Sequence, residues 1–330
     1  MPNTQSFLPK EPRTVEIIAF PNIQILDLTG PLQVFACANE LKRAEGDVLP
    51  YSLKVVSLTG GPITSSAGLQ VLTESLSVPN SELDTLVIPG GTGVNDAAKN
   101  SELVAWIYER SGHADRIVSI CSGTFLLAAT GLLEGRRATT HWERCDELDR
   151  NFPSTKVEPD PIFVRDGNIW TSAGVTAGID LCLALVEQDL GRDVALSIAR
   201  DLVVHLKRPG GQSQYSAALA LQLSSLFGDL HAWISENLAE DLGTAALARK
   251  CGMSERNFYR RYVGETGTTP ARAVERLRVE MARSLLADTR LTIKTVAKKC
   301  GFQSEEVLRR SFLRLLSISP RDYRRNWSNL

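Results

Sequence analysis

The C-terminal part of the chain contains one short motif twice. The segment LARKCGMSERNFYRRYV at 247–263 aligns with VAKKCGFQSEEVLRRSF at 296–312 when the sequence is shifted by 49 residues. In each copy the pattern predicts a helix that ends at a Cys-Gly pair, then Met253 or Phe302 filling the core beneath a turn, then a second helix. This layout is typical of a helix-turn-helix, whose second helix enters the major groove of DNA. The duplication therefore predicts an all-α domain with two helix-turn-helix motifs.

The second helix of each unit, here called the reading helix, carries side chains that can contact base edges. We expect Ser254 and Ser304 to begin these helices, and the alignment places a pair of arginines at matching positions in both. Arginine can bridge O6 and N7 of guanine, asparagine can bind adenine in the same bidentate way, and glutamate can accept from cytosine. The predicted DNA-binding residues are Ser254, Arg256, Asn257, Arg260, Arg261, Ser304, Glu305, Glu306, Arg309 and Arg310.

A predicted helix connects the two units. The segment 269–288 places Val274, Leu277, Met281 and Leu285 on one apolar stripe, which indicates a rigid connector packed on a core. We expect this connector to hold the reading helices so that they enter successive major-groove faces, which lie roughly 34 Å apart.

The net charge differs between the two parts of the chain. From Asp229 to Leu330 there are 19 Lys and Arg against 12 Asp and Glu, a net charge of +7, whereas the preceding residues carry −8. This asymmetry favours a polyanion as the partner of the C-terminal part and a small or neutral molecule for the rest. A merely solvated basic face, or a helical bundle that binds another protein, is the alternative. The duplication and the basic charge together favour double-stranded DNA.

The whole region 229–330, which closes with SISPRDYRR, resembles the AraC/XylS family of transcription regulators. The signature region of that family is such a pair of motifs. The resemblance implies recognition of promoter DNA, commonly at repeated sites.

Strands alternate with helices through the first two thirds of the chain. TVEIIAF at 14–20 is a buried-type strand, and 29–43 is predicted as a helix with Thr29 as its cap and Pro31 in its first turn. This alternation predicts an α/β fold with an open, mostly parallel sheet and helices on both faces. A Pro-Gly-Gly segment then interrupts the pattern. The predicted parts are an α/β domain at 13–206, a linker at 207–228 and the all-α domain at 229–330.

The stretch RIVSICSGTF is the first candidate for chemistry in the α/β domain. A hydrophobic strand runs directly into Cys121 and a helix of small residues begins at once, which resembles a nucleophile elbow. A thiol at a helix N-terminus can have a depressed pKa. Asp27 and the Gly90-Gly91 pair are expected at the same edge of the sheet, where amides of the pair can line an anion or oxyanion pocket. His141 is the only histidine expected nearby. The predicted ligand-binding residues are Asp27, Gly90, Gly91, Cys121, Ser122 and His141.

Several other classes of site are disfavoured. The GGTG segment fits neither glycine pattern of nucleotide-binding loops, and the six cysteines include no C-x-x-C pair. Neither a nucleotide, a metal nor another cofactor is therefore expected. No apolar run has membrane-spanning length and the N-terminus has no apolar signal region, so a cytoplasmic protein is expected.

The segments DLTGPLQVF, VIPGGTG, CSGTFLLAATGLLEGRRATTHW and TSAGVTAGIDL resemble, in this order, the ThiJ/PfpI superfamily. The resemblance covers 13–206 and implies a flavodoxin-like fold of the class I glutamine amidotransferase-like type. Within the superfamily the pattern is similar to isocyanide hydratase, which implies that Asp27 partners Cys121 with Ser122 nearby. PfpI-type proteases place histidine directly after the cysteine, where this chain has Ser122. Glutamine amidotransferases use a downstream histidine that WTSAGVTAGIDL lacks, so proteolysis and glutaminase chemistry are disfavoured.

Together the two parts resemble the GlxA-type regulators, whose enzyme-like domain is thought to sense a small, often nitrogen-containing metabolite. The resemblance implies a homodimeric transcriptional regulator without enzymatic activity that binds a small effector and promoter DNA. An active cysteine-dependent hydratase or hydrolase carrying a DNA-binding tail is the alternative, because Asp27 and Cys121 are both present. Cys121 stays open as a catalytic group, a ligand-contacting or redox-sensitive thiol, or an inert inherited residue.

Overall fold

The computed structural model describes residues 11–78, 81–206, 212, 227–316 and 318–327. The chain divides into two compact units, Met1–Arg208 and Pro209–Leu330. The predicted linker at 207–228 lies outside the described residues except for Gln212, Phe227 and Gly228. Each unit buries hydrophobic side chains of its own.

The first unit is built around an eight-stranded sheet. The strands of this unit are β1 (Arg13–Ile18), β2 (Tyr51–Ser57), β3 (Gly61–Thr64), β4 (Gln70–Ser75), β5 (Leu83–Ile88), β6 (Ala114–Ile120), β7 (Arg137–Ala138), β8 (Lys156–Val157), β9 (Phe163–Asp166) and β10 (Ile169–Ser172). Strands β7 and β8 form a separate short pair. The order in the large sheet is β3-β4-β2-β1-β5-β6-β10-β9. The six inner strands are parallel, and only β3 and β9 at the edges are antiparallel to their neighbours.

Two groups of helices cover this sheet. The helices are α1 (Ile25–Ala44), α2 (Val94–Lys99), α3 (Ser101–Ser111), α4 (Gly123–Ala129), α5 (Cys145–Asn151), α6 (Ala177–Leu190) and α7 (Arg192–Asp201). Helices α1, α6 and α7 pack together, and α2, α3 and α4 form the other group. Ile17 and Ile18 point to opposite faces of β1, yet both are fully buried, so both faces of the sheet are covered. The predicted α/β fold with an open, mostly parallel sheet is confirmed.

Helix α1 begins earlier than predicted. It starts at Ile25, so Pro31 lies inside the helix and Thr29 is not its cap; the Thr29 hydroxyl donates instead to the Ile25 carbonyl at 2.8 Å. The start is set by tertiary contacts, because the Gln24 amide donates to the Gly90 carbonyl at 2.9 Å. The early start places Asp27 in the first turn of α1, at the carboxyl edge of the sheet.

The second unit is helical throughout its described residues, as predicted. Its helices are α8 (Gly228–Glu236), α9 (Thr244–Lys250), α10 (Glu255–Thr266), α11 (Pro270–Asp288), α12 (Ile293–Lys299), α13 (Glu305–Leu316) and α14 (Pro320–Trp327). Helices α9 and α10 form the first helix-turn-helix, and α12 and α13 form the second.

The connecting helix α11 contributes to two hydrophobic cores. Val274 and Leu277 pack into the core of the first helix-turn-helix, whereas Leu285 and Leu286 pack with the second. The predicted single stripe is therefore wrong at Met281, which is 40% exposed. Because the two cores contact different faces of α11, the buried side changes along the helix.

Candidate functional site

The chain turns sharply between β6 and α4, as predicted. Cys121 has φ of +55°, a left-handed value that a residue other than glycine adopts at an energetic cost. The Cys121 amide donates to the carbonyls of Ser172 and Ala173, both at 3.1 Å, and its carbonyl accepts from the Thr140 hydroxyl at 2.7 Å. Contacts from two other chain segments thus hold the elbow. Sequence reasoning missed Thr140 and Ser172, although the segments TTHW and TSAG contain them.

The Asp27 carboxyl is fully buried beside this elbow. Its Oδ2 accepts a hydrogen bond from the Gly90 amide at 3.1 Å, and the Cys121 thiol lies against the same carboxyl. Apart from that thiol, Oδ1 has no hydrogen-bond partner among the residues that the structure describes. Burial raises the pKa of Asp27 to about 7, because these contacts only partly offset the cost of burying an anion. Asp27 is thus partly protonated at neutral pH.

The Cys121 thiol is neutral at physiological pH. Burial, together with the charge of Asp27, raises its pKa to about 12, although the backbone amides of Ser122 and Val175 face the sulfur and act in the opposite direction. The expectation of a depressed pKa is therefore wrong, because desolvation outweighs the amides at the start of α4. Val175, which sequence reasoning missed, also has a left-handed φ of +41°.

The predicted glycine pair supports the site through its amides. The Gly90 amide binds Asp27, and the Gly91 amide donates to Oγ of Ser122 at 3.0 Å. Both amides are therefore occupied by side chains, and the expectation that they line an anion pocket is wrong. A Cβ atom at Gly90 would lie 2.6 Å from Oγ of Ser122 and 2.9 Å from Oδ2 of Asp27, so this close approach requires glycine.

His141 lies at the periphery of this arrangement. Its ring packs against the backbone of Gly174, next to Val175, and its Nδ1 accepts from the Glu143 amide at 3.4 Å. Burial lowers the pKa of His141, so the ring is neutral at physiological pH. In the described part of the chain it makes no hydrogen bond to Cys121. The structure therefore joins Asp27, Gly90, Gly91, Cys121 and Ser122 directly, and His141 only through the Gly174-Val175 segment.

A cavity of about 360 Å³ lies at the same edge of the sheet. It is bordered by Phe20, Asn22, Leu58 and Leu103, and by Gly93. The Gly93 amide donates to the Asn22 carbonyl at 3.3 Å, and the same carbonyl lies against Gly91. The cavity therefore borders the loop that contains Gly91, whose amide binds Ser122 next to the elbow. None of the predicted site residues lines the cavity, and nothing in the sequence pattern indicated it.

The turns of the two helix-turn-helix units have the predicted form. Gly252 has φ of +63° and Gly301 has φ of +75°. In each turn the amide of the following residue, Met253 or Phe302, donates to the carbonyl of the small residue five positions earlier at 2.9 Å. Phe302 is buried and Met253 packs on its core, as expected.

The reading helices α10 and α13 do not follow the shift of 49 residues. Helices α9 and α12 do, but α10 begins at Glu255 and α13 at Glu305, a shift of 50. The exposed Gln303 is the additional residue in the second turn. Ser254 and Ser304 precede the two helices as predicted, and Oγ of Ser304 accepts from the Val307 amide at 3.2 Å.

The buried residues of the reading helices confirm the shift of 50. Phe258 and Tyr262 in α10 correspond to Leu308 and Phe312 in α13, and all four are fully buried. The core therefore sets the rotation of each helix about its axis. One additional residue turns every later side chain by about 100° relative to the sequence alignment.

The predicted match of the two arginine pairs is consequently wrong in the folded helices. Arg260 corresponds in space to Arg310, whereas Arg261 corresponds to Ser311. Ser311 is buried and contacts Glu275 of α11 through its hydroxyl, while Arg261 is exposed. The reading surfaces of the two units are therefore not equivalent.

Most of the predicted DNA-binding side chains are exposed on the reading helices. The exposed ones are Ser254, Arg256, Arg260, Arg261, Ser304, Glu305, Glu306, Arg309 and Arg310. Asn257 is half-buried, and its Oδ1 accepts from Arg260 at 3.3 Å. Sequence reasoning missed Tyr259, which is 46% exposed on α10, although an aromatic residue beside two arginines was a visible signal.

Within the described ranges no helix combines the length and apolar character needed to cross a bilayer. Among the same residues, no three His, Cys, Asp or Glu side chains cluster in a way suited to a metal ion.

Comparison with known proteins identifies the family. The family model described as DJ-1/PfpI family matches residues 13–188, more than half of the chain. The chain belongs to the DJ-1/PfpI family. A second model, described as a helix-turn-helix domain, matches residues 247–326. The predicted combination of a ThiJ/PfpI domain with an AraC-type helix-turn-helix domain is confirmed.

Relatives that match over nearly the full length of this chain are named as transcriptional regulators. GlxA of Rhizobium meliloti is 30% identical over 325 residues, covering 95% of this chain and 97% of its own. CdhR of Pseudomonas aeruginosa is 29% identical over 310 residues, covering 92% and 89%. Isonitrile hydratase of Pseudomonas putida is 36% identical over 182 residues, but these are only 55% of this chain and 74% of the hydratase. The full-length similarity is therefore to regulators and not to the enzyme.

A solved structure supports the fold of the DJ-1/PfpI unit. A THiJ/PfpI family protein from Pseudomonas syringae superimposes with a TM-score of 0.52 at 29% identity, covering 63% of this chain and 84% of that one.

Proposed function

We propose that this protein is a sequence-specific transcriptional regulator that binds double-stranded promoter DNA through α10 and α13. The observation that carries this proposal is the pair of helix-turn-helix units, each presenting exposed arginines on its second helix. The net charge of +7 after residue 228 supplies the phosphate attraction that such binding requires. In this proposal 13–206 is the sensing domain, 207–228 the linker and 229–330 the DNA-binding domain.

An electrophoretic mobility shift assay with the promoter fragment of its own operon tests the DNA-binding function. We expect a shift that weakens steeply with salt, because each phosphate contact releases counterions. Arg256→Ala and Arg260→Ala should weaken binding, whereas Arg192→Ala in the first unit should not. If the wild-type protein bound no promoter fragment even at low salt, the proposal would be overturned.

We further propose that the DJ-1/PfpI domain binds a small nitrogen-containing effector without converting it. Oδ1 of Asp27 is buried and accepts no amide or hydroxyl hydrogen bond among the described residues, so it can accept one from an N–H group of a ligand. The neighbouring thiol is neutral, and among the described residues His141 makes no hydrogen bond that could activate it. In this proposal Asp27, Cys121 and Ser122 contact the effector. Gly90 and Gly91 hold Asp27 and Ser122 in place through their amides, and His141 borders the site.

A thermal-shift screen of the full-length protein against amino acids, betaines, polyamines and isocyanides tests this part. A specific effector should raise the melting temperature by mass action, and Asp27→Ala should abolish the increase while Cys251→Ala preserves it. Turnover of an isocyanide, abolished by Cys121→Ala, would instead establish the hydratase alternative. We also propose a homodimer, since paired operators commonly match two-fold symmetric proteins, and sedimentation equilibrium measures this directly.

A further inference from the structure

The two reading helices present different chemistry at equivalent positions. The shift of 50 residues places Glu306 of α13 at the position of Arg256 in α10, and Arg309 at the position of Tyr259. All four side chains are exposed. At the first position the charge is reversed, and at the second a cation replaces an aromatic ring. Identical half-sites cannot satisfy both helices, because arginine binds the acceptors of guanine whereas a carboxylate is repelled by them.

Glu306 and Arg309 form one bidentate unit on α13. Both carboxylate oxygens of Glu306 accept from Arg309, at 2.8 Å from Nε and 2.8 Å from one terminal nitrogen. This contact occupies one edge of the planar guanidinium and leaves the edge formed by its two terminal nitrogens. A free edge of that kind is the one that can donate to O6 and N7 of guanine. The hydrogen bond from Arg309 also lowers the pKa of Glu306, so the carboxylate is ionised at neutral pH.

The first helix-turn-helix has no such ion pair at the equivalent positions of α10. Arg256 makes no ion pair in the part of the chain that the structure describes, and the exposed Tyr259 follows three residues later on the same side of α10. An aromatic ring can contact the methyl group of thymine, as other apolar groups do in the major groove. The α10 surface is thus suited to a guanine read by an unsupported arginine next to a thymine.

We propose that Glu306 is a positioning residue that orients Arg309 toward a guanine in the half-site of α13, a role that has no counterpart at Arg256 in α10. This inference rests on the proposed DNA-binding function and defines which sequences that function selects. An isolated exposed ion pair contributes little to stability in water. In the groove, however, water is displaced and a fixed arginine loses less side-chain entropy on binding.

The test begins with the full-length protein and a randomised duplex library. Every base pair of the selected site is then varied, and dissociation constants are measured at one salt concentration. We expect one G·C pair at which the wild-type protein prefers guanine by about tenfold or more, which is the preference that a bidentate contact produces. Arg309→Lys keeps the charge but removes the fork, so it should abolish this preference and thereby identify the pair read by α13.

Glu306→Gln and Glu305→Gln form the matched comparison. Each removes one negative charge from the first turn of α13, so each should tighten binding to all duplexes by a similar factor. Only Glu306→Gln should also lose most of the guanine preference at the pair identified by Arg309→Lys. A uniform effect on affinity, without a change in base preference, is what a merely electrostatic role would produce.

Two results would overturn the inference. One is equal retention of the guanine preference in Glu305→Gln and Glu306→Gln. The other is a selected site made of two identical half-sites in which Arg256→Lys and Arg309→Lys affect equivalent base pairs. Failure of the wild-type protein to select any duplex would be different, since it would overturn the proposed function itself. Circular dichroism of each variant checks that the helices remain folded.

Discussion

The backbone amide of Gly90 donates a hydrogen bond of 3.1 Å to Oδ2 of Asp27, while Oδ1 accepts no amide or hydroxyl hydrogen bond among the described residues. One amide does not offset the cost of burying a carboxylate. The pKa of Asp27 therefore rises into the physiological pH range. When Asp27 is ionised, its charge disfavours the Cys121 thiolate. The site is therefore a partly protonated carboxyl beside a neutral thiol rather than an activated nucleophile.

The stability of the protein should fall as the pH rises from about 4 to about 7, through the contribution of Asp27. Because burial raises the pKa of Asp27 to about 7 in the folded state, the folded protein holds a proton that the unfolded chain has released over this range. The contribution is fully present below the ordinary pKa of an aspartate and is lost as the pH passes the folded pKa. Asp27→Asn stays uncharged, so it should be more stable than wild type at about pH 8, by on the order of 2–4 kcal/mol.

Urea denaturation of both full-length proteins at several pH values measures this difference. Below about pH 4 the two proteins should differ little, because Asp27 is then protonated in the unfolded chain as well as in the folded protein. If the free energies of unfolding of the two proteins differed by the same amount at every pH, the raised pKa of Asp27 would be contradicted.

The Cys121 thiol should react slowly with iodoacetamide at neutral pH. Alkylation requires the thiolate, and burial together with the Asp27 charge raises the pKa of Cys121 to about 12. Asp27→Asn removes that charge, lowers the pKa of Cys121 and should accelerate its alkylation. Mass spectrometry of each cysteine follows the rates, with half-buried Cys251 of the second unit as an internal reference. An unchanged ratio of the two rates in Asp27→Asn would rule out the coupling.

Gly90→Ala should destabilise the first unit by about 1–3 kcal/mol through overpacking. The added methyl group would stand 2.6 Å from Oγ of Ser122 and would displace either Ser122 or Asp27. Gly112→Ala is the control, because its methyl group meets only the Glu109 carbonyl at an ordinary 3.4 Å. Melting temperatures compare the two variants. If Gly90→Ala were as stable as Gly112→Ala, the close packing of the glycine pair on Ser122 would be incorrect.

Gly301→Ala should destabilise the second unit more than Gly252→Ala. Both glycines end the first helix of a helix-turn-helix at a left-handed φ, so both substitutions incur about 1–2 kcal/mol of backbone strain. A methyl group at Gly301 would also lie 1.9 Å from the Leu238 carbonyl, whereas the space around Gly252 is open. The difference between the two variants, measured as free energies of unfolding in urea, isolates this collision. Equal losses would show that Leu238 does not pack on the second turn.

Local features of both sites could be predicted from the sequence because they depend on neighbours along the chain. The strand running into Cys121 predicted an elbow, and the Cys-Gly pairs predicted turns with left-handed glycines at 252 and 301. The start of α1 could not be predicted in this way. Thr29 and Pro31 form a typical helix beginning, but the bond between Gln24 and Gly90 starts the helix at Ile25.

The electrostatics of the Asp27–Cys121 site also depended on groups that are distant in sequence. Cys121 at a helix N-terminus has the local pattern of an acidic thiol. Its pKa is raised instead, because folding buries it and brings Asp27 from 94 positions earlier against it. A pKa responds to distance and burial in space, neither of which a motif contains.

The sequence by itself determined the α/β fold, the duplicated helix-turn-helix and the residues that gather at the elbow, since periodicity and turn residues encode local structure directly. Only the tertiary structure decided which faces the reading helices present. The buried pairs Phe258/Tyr262 and Leu308/Phe312 fix the rotation of each helix, and one additional residue, Gln303, moves the second helix out of the register in which the letters align. Side-chain packing sets the rotation of a helix about its axis, and an alignment of residue types does not.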